Sequence, residues 1–147
     1  MNTTDYIEVL LVEDRPEDAE LTIRSLKENN FMNKIKLIED GQEALDYLFG
    51  EGIYEGARPE LPKLLLLDLK LPKVSGLEVL ERIRDDEKLK HLPVVILTSS
   101  NENMDIETAY KLGANSYIVK PVDFINFAQA IKEVGMYWLV LNRSLNK

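Results

Sequence analysis

Leu64-Leu65-Leu66-Leu67-Asp68 is the stretch on which the fold turns. Four consecutive leucines leave no polar face, so a strand made of them must be covered on both sides, as the central strands of parallel sheets are. The run stops at a carboxylate. Leu69-Lys70-Leu71-Pro72 does not continue as a helix, so Asp68 has no helix to cap and stands at a strand end.

Outward from this strand the chain alternates between two periods. Ile7 to Val12 is β-branched and leucine-rich and ends at Glu13-Asp14. Arg15-Pro16-Glu17-Asp18 opens a helix, with proline in the first turn and acids at the positive helix end, and Ala19, Ile23 and Leu26 follow at helical spacing. Ile35 to Ile38 predicts a second strand, Asp40-Gly41 a turn, and Ala44, Leu45 and Leu48 a second helix. Gly50 to Pro62 holds three glycines and two prolines without an apolar period and reads as a long loop. After Ser75-Gly76 comes a helix carrying Val79, Leu80 and Ile83. Val94 to Leu97 is a fourth strand ending at Thr98-Ser99-Ser100. Ile106, Ala109 and Tyr110 mark a fourth helix closed by Gly113. Ser116 to Val119 is a fifth strand ending at Lys120-Pro121, and Phe124, Phe127, Ala128, Ile131 and Val134 give a last amphipathic helix. Five strands alternating with five helices imply right-handed crossovers and a three-layer α/β domain with a parallel sheet.

With 147 residues the chain suits one such domain. The absence of cysteine excludes disulfides and thiolate chemistry and fits a reducing compartment. A formal charge of −8 disfavours direct nucleic-acid binding, which needs cations to displace phosphate counterions. The first residues lack the basic and apolar regions of a signal peptide, and the apolar runs are far shorter than the ~20 residues needed to cross a bilayer. These features set the expectation of a cytoplasmic protein that binds neither membrane nor nucleic acid.

Four of the strands end in side chains of one chemical theme: Glu13-Asp14, Asp68, Thr98 and Lys120. In open α/β sheets, ligands bind beyond the carboxyl ends of the strands, so these positions should converge. Carboxylates crowded together repel one another, and a hard divalent cation such as Mg²⁺ relieves the repulsion. An aspartate beside that cation can attack phosphorus and form an acyl phosphate. The incoming phosphoryl oxygens then need donors, which Lys120 and the Thr98 hydroxyl can supply. Taken singly, each residue has a plainer role: Glu13-Asp14 as a solvated turn, Thr98 and Ser99 as turn residues, Lys120 as a surface cation. Their joint occurrence favours one site. The lone histidine, His91, reads as a surface residue.

Leu11-Val12-Glu13-Asp14, Leu67-Asp68-Leu69-Lys70-Leu71-Pro72 with Ser75-Gly76, Leu97-Thr98-Ser99-Ser100 and Ile118-Val119-Lys120-Pro121 occur in order, each at a strand end. Over residues 6 to 134 the sequence resembles the receiver domain of two-component response regulators, the CheY-like family. That resemblance implies a flavodoxin-like (βα)5 fold, a doubly wound sheet of strand order 2-1-3-4-5. It implies Asp68 as phosphoacceptor, and Mg²⁺ held by Glu13, Asp14, Asp68 and the backbone carbonyl of Lys70. Thr98 and Lys120 would contact the phosphoryl group, Tyr117 would act with Thr98 as the aromatic switch, and Lys120–Pro121 would be a cis peptide. Ser99 departs from the alanine common after the threonine but keeps the position small. Leu48-Phe49-Gly50, the long loop and Leu64 to Pro72 together resemble the small response regulators paired with bacterial phytochromes, which implies a sensor histidine kinase as phosphoryl donor.

Residues 135–147 read as an extension of the last helix. Met136-Tyr137-Trp138-Leu139-Val140-Leu141 is apolar and aromatic, and a homodimer contact through the fourth and fifth helices and this tail is expected, involving Phe127, Tyr137 and Trp138. Packing of the tail on its own domain is the rival. Two other functions share the residue pattern. An aspartyl-phosphate phosphohydrolase would place an acid two residues after its nucleophile, where this chain has Lys70. A flavodoxin-like flavin binder would not place acids where the flavin phosphate sits.

Overall fold

The computed structural model describes residues 7–28, 34–57, 60–120 and 124–141. The elements run β1 (Val9–Val12), α1 (Pro16–Glu28), β2 (Ile35–Ile38), α2 (Gly41–Phe49), β3 (Leu64–Leu67), α3 (Gly76–Arg84), β4 (Val94–Thr98), α4 (Asn103–Lys111), β5 (Ser116–Val119) and α5 (Phe124–Gly135). The strands form one sheet in the order β2-β1-β3-β4-β5, every pair parallel. This is the flavodoxin-like arrangement.

The leucines of β3 behave as a doubly covered strand requires. All four are 0% exposed, and they alternate between two cores. Leu65 and Leu67 join Leu10, Val12, Val94 and Ile96 under α2 and α3, through Ala44, Leu45, Leu48, Val79, Leu80 and Ile83. Leu64 and Leu66 join Val9, Leu11, Val95 and Leu97 on the other face, closed by Ala19 and Leu26 of α1 and Ile131 of α5. Burying a leucine in this way stabilises by about 1.5–3 kcal/mol. The strands at the edges are less covered, and Val119 of β5 is exposed.

Local chemistry sets the helix starts. The Asp40 carboxylate accepts from the Glu43 amide at 2.7 Å, and the Ser75 hydroxyl accepts from the Glu78 amide at 3.2 Å, each satisfying one amide the helix leaves free. Asp40-Gly41 is thus more than a turn: a Cβ on Gly41 would lie 1.9 Å from the Val74 carbonyl oxygen, so only glycine lets α2 start against the loop after β3.

Two stretches differ from their reading as sequence. Gly50 to Pro62 contains a 3-10 turn, Gly52–Tyr54, that is anchored rather than free. Tyr54 meets Tyr47 edge-on at 5.1 Å, its hydroxyl donates to Glu43 at 2.8 Å, and Lys36 lies over both rings. Tyr110, placed with the apolar positions of α4, is 49% exposed and faces away from the core that holds Ala109.

At the end of the sheet opposite Asp68, Arg84 ties three segments together. Its guanidinium donates to the carbonyls of Gly113, Leu92 and Lys90 and to Asn115 Oδ1, which also accepts from the Val94 amide at 2.7 Å. Burial holds its pKa below the ordinary arginine value. Arg84→Met keeps the stem but strands these acceptors, at about 2–4 kcal/mol. The expected result is a fall in Tm of about 10 °C, read by thermal denaturation.

Candidate functional site at the carboxyl edge of the sheet

Strand register brings the polar strand ends together. Val12 pairs with Leu67, so Glu13 and Asp68 follow on neighbouring strands, and the Asp68 amide donates to the Val12 carbonyl at 3.1 Å. The Lys120 amide donates to the Thr98 carbonyl at 2.7 Å, fixing the ends of β4 and β5 against each other. Glu13, Asp14 and Asp68 each offer a carboxylate oxygen, and these oxygens lie within 4.8 Å of one another. Glu13 is 1% and Asp68 5% exposed, while Asp14 is half-buried.

The electrostatics of so many acids are visible in Glu13. Burial, with the Asp68 charge beside it, raises its carboxyl to about 7 against the hydrogen bond from Lys120, which works the other way. The Lys120 side chain is only 8% exposed and its ammonium contacts Glu13, Asp18 at 2.9 Å and Asp68 at 3.1 Å. Burial alone would lower its pKa, but the bonds to Glu13 and Asp18 and the Asp68 charge more than compensate and raise it. One ammonium therefore faces several carboxylates, a deficit of positive charge that suits a divalent cation with oxygen ligands. The residues fit that ion by the chemistry of the donor set.

Thr98 adds a different signal. It is 1% exposed, and its hydroxyl is the one buried side-chain polar atom among the described residues without a hydrogen-bond partner. Such an orphan is costly and marks a place where a further acceptor belongs. Two residues on, the Ser100 carbonyl accepts from the Tyr117 hydroxyl at 2.9 Å, and the Ser100 hydroxyl donates to Asp105 at 2.5 Å. Tyr117 is thus joined to the turn that follows Thr98.

Residues 9–132 match the model of the response regulator receiver domain. The chain belongs to that family. Receivers are signalling switches of two-component systems, and the readings as a phosphohydrolase or a flavin carrier give way to this one. The probable methanogenesis regulatory protein FilR2 of Methanothrix harundinacea is 41% identical over 144 residues, 98% of this chain and 91% of that protein. The response regulator Rcp1 of a Synechocystis strain is 35% identical, over 89% of this chain and 88% of that protein. Among solved structures, the phosphorylated cyanobacterial phytochrome response regulator RcpA superposes with a TM-score of 0.87 at 36% identity, over 96% of this chain and 99% of the other.

The receiver fold gathers Glu13, Asp14, Asp68, Thr98 and Lys120 at one edge. Lys70 contributes its amide, which donates to Asp68 Oδ1 at 3.2 Å, while its side chain is exposed. The Lys120–Pro121 bond and the Phe127 side chain lie outside the described residues. Trp138 is half-buried on its own chain, against the core under α1 and α5, with Tyr137 edge-on to it at 4.9 Å and half exposed. A groove of about 610 Å³ between α1 and β2, lined by Ala19, Ile23, Leu37 and neighbouring charged residues, holds none of the gathered side chains. Asp18 is the member that sequence reading missed, because its place at the start of α1 already accounted for an acid there.

Proposed function

We propose that this receiver is a phosphoryl-accepting switch with Asp68 as acceptor, and that it signals by contact with another protein. The observation that carries the reading is the combination around Asp68: a carboxylate cluster, a buried ammonium and an unpartnered buried hydroxyl. A carboxylate oxygen of Asp68 attacks phosphorus, the bond from phosphorus to the donor's leaving atom breaks, and the leaving group departs with the electron pair. Lys120 pairs with the phosphoryl oxygens, and Thr98 donates its free hydroxyl to one of them. Glu13, Asp14, Asp68 and the carbonyl of Lys70 would hold Mg²⁺, which neutralises charge developing on the transferring group. The Mn²⁺-bound form known for a response regulator Rcp1, 34% identical with a TM-score of 0.85, supports a divalent ion here. The hydrogen bond from the Tyr117 hydroxyl to the Ser100 carbonyl, two residues after Thr98, supports the switch role of that tyrosine.

Residues 6–134 form the receiver in this reading and 135–147 an extension beyond it, of which 142–147 lie outside the described residues. A sensor histidine kinase is the donor, of phytochrome type given the likeness to RcpA, and this partnership carries a cytoplasmic setting. Among the described residues no helix is long and apolar enough to cross a membrane. A homodimer through α4, α5 and the tail is supported by exposed Met104, Ile125 and Tyr137, with Trp138 acting from below by holding the tail in place.

The test is incubation with acetyl phosphate, with and without Mg²⁺, followed by peptide mapping. A Mg²⁺-dependent, hydroxylamine-labile phosphoryl group on the peptide bearing Asp68 is expected. A label on another residue, or none, overturns the assignment.

A further inference from the structure

We infer that Asp18 is a positioning residue for Lys120, holding its ammonium over Asp68 before and during phosphoryl transfer. The inference rests on the reading of Asp68 as acceptor and goes beyond it. A lysine ammonium has three N–H donors. Here its three carboxylate partners are Glu13, Asp18 and Asp68. Two of these stand at strand ends and belong to the reaction. Asp18 stands on α1, 102 residues away in sequence from Lys120.

Geometry gives Asp18 its task. Lys120 follows β5, at the edge of the sheet, whereas Asp68 follows β3, with β4 between them. At about 4.8 Å between neighbouring strands, the lysine must stay extended to serve Asp68. A free lysine side chain has much rotamer entropy to lose in doing so. The bond that Lys120 donates to Asp18 at 2.9 Å adds a fixed partner on α1 that holds the ammonium beside Asp68. It is also the partner that the chemistry leaves intact. Formation of the acyl phosphate takes the charge off the Asp68 carboxylate and places it on the phosphoryl oxygens, and a divalent cation would share the charge of Glu13. Asp18 takes part in neither event. Its own place is set by helix α1 and by Arg15, whose Nε lies 3.5 Å from the same oxygen.

Two plainer roles compete. Asp18 could serve only as an acid at a helix start, or only as a negative charge that repels anionic donors. The acetyl phosphate dependence of Asp68 labelling separates them. Asp18→Asn is expected to lower the maximal rate about tenfold, the size of one charge-assisted hydrogen bond, with the half-saturating donor concentration unchanged. In a Lys120→Met background, itself expected to label slowly, Asp18→Asn should have no further effect. Asp18→Glu should restore part of the rate. Equal losses in both backgrounds would show that Asp18 does not act through Lys120. A lowered half-saturation at an unchanged maximal rate would leave only charge repulsion. Asp18→Ser, which keeps a helix-start residue, serves if the amide disturbs α1, with the fold checked by Tm. Failure of the unaltered protein to label at all would instead sink the assignment of Asp68.

Discussion

Asp68→Asn removes Mg²⁺-dependent labelling by acetyl phosphate and, in the absence of metal, leaves the protein at least as stable as before. The first effect is chemical. An amide oxygen is far less nucleophilic than a carboxylate and forms no stable acyl phosphate, so the loss should exceed the range of the assay. The second is electrostatic. Asp68 is 5% exposed beside Glu13, and its charge is one cause of the raised pKa of that carboxyl. Asparagine fills nearly the same volume, and its oxygen can still accept from Lys120 while adding no negative charge. Removing one acid from the cluster therefore relieves repulsion without opening a cavity. Binding of Mg²⁺ should weaken by about tenfold or more, because a charged oxygen ligand becomes neutral. Titration calorimetry reads the affinity, and denaturation with and without Mg²⁺ reads the stability. A variant that still labels at the normal rate means that another residue accepts the phosphoryl group. A metal-free variant markedly less stable than the parent means that Asp68 is held chiefly as the structural partner of Lys120.

Much of this site is legible in the sequence because strand ends in a parallel sheet share an edge. Leu64 to Leu67 fits a central strand covered on both faces, and that places Asp68. Val12 precedes Glu13 in the same manner, and the register of Val12 with Leu67 turns two separate motifs into neighbours. What could not be read depends on side chains meeting across the fold. Nothing in Gly50 to Pro62 announces that Tyr54 reaches Tyr47, Glu43 and Lys36. Periodicity places Tyr110 on a helix without saying which face of α4 meets the sheet. The bond between Asp18 and Lys120 has no local signature, since each residue already has a sufficient local explanation. Trp138 is a similar case: an aromatic tail signals that something is covered, and only tertiary contacts show that part of it is its own core.

Gly76 offers a sharper instance, and a variant in which two effects oppose each other. In the sequence it is the residue after a cap, where alanine is a better helix former by about 0.8–1.0 kcal/mol. Propensity alone predicts that Gly76→Ala stabilises α3. The structure predicts the reverse. A Cβ at Gly76 would lie 2.1 Å from the Asp68 carbonyl oxygen and 2.8 Å from Leu69 Cα, both backbone atoms that no rotamer can move. The Gly76 amide also donates to the Leu69 carbonyl at 2.8 Å, so the start of α3 is held directly beneath the acceptor. Relieving the clash requires moving either the helix or the segment that carries Asp68. Overpacking of this kind costs about 1–3 kcal/mol or more, which exceeds the gain in propensity. The expected result is a lower Tm together with slower labelling and weaker Mg²⁺ binding, since Asp68 shifts away from Glu13 and Asp14. Gly56→Ala is the control: that glycine has φ +77° with nothing within 4 Å of an added Cβ, so its strain is local and the labelling rate should hold. If Gly76→Ala raises Tm and labels normally, the approach of α3 to Asp68 is looser than these distances imply, and helix propensity rather than contact governs that position.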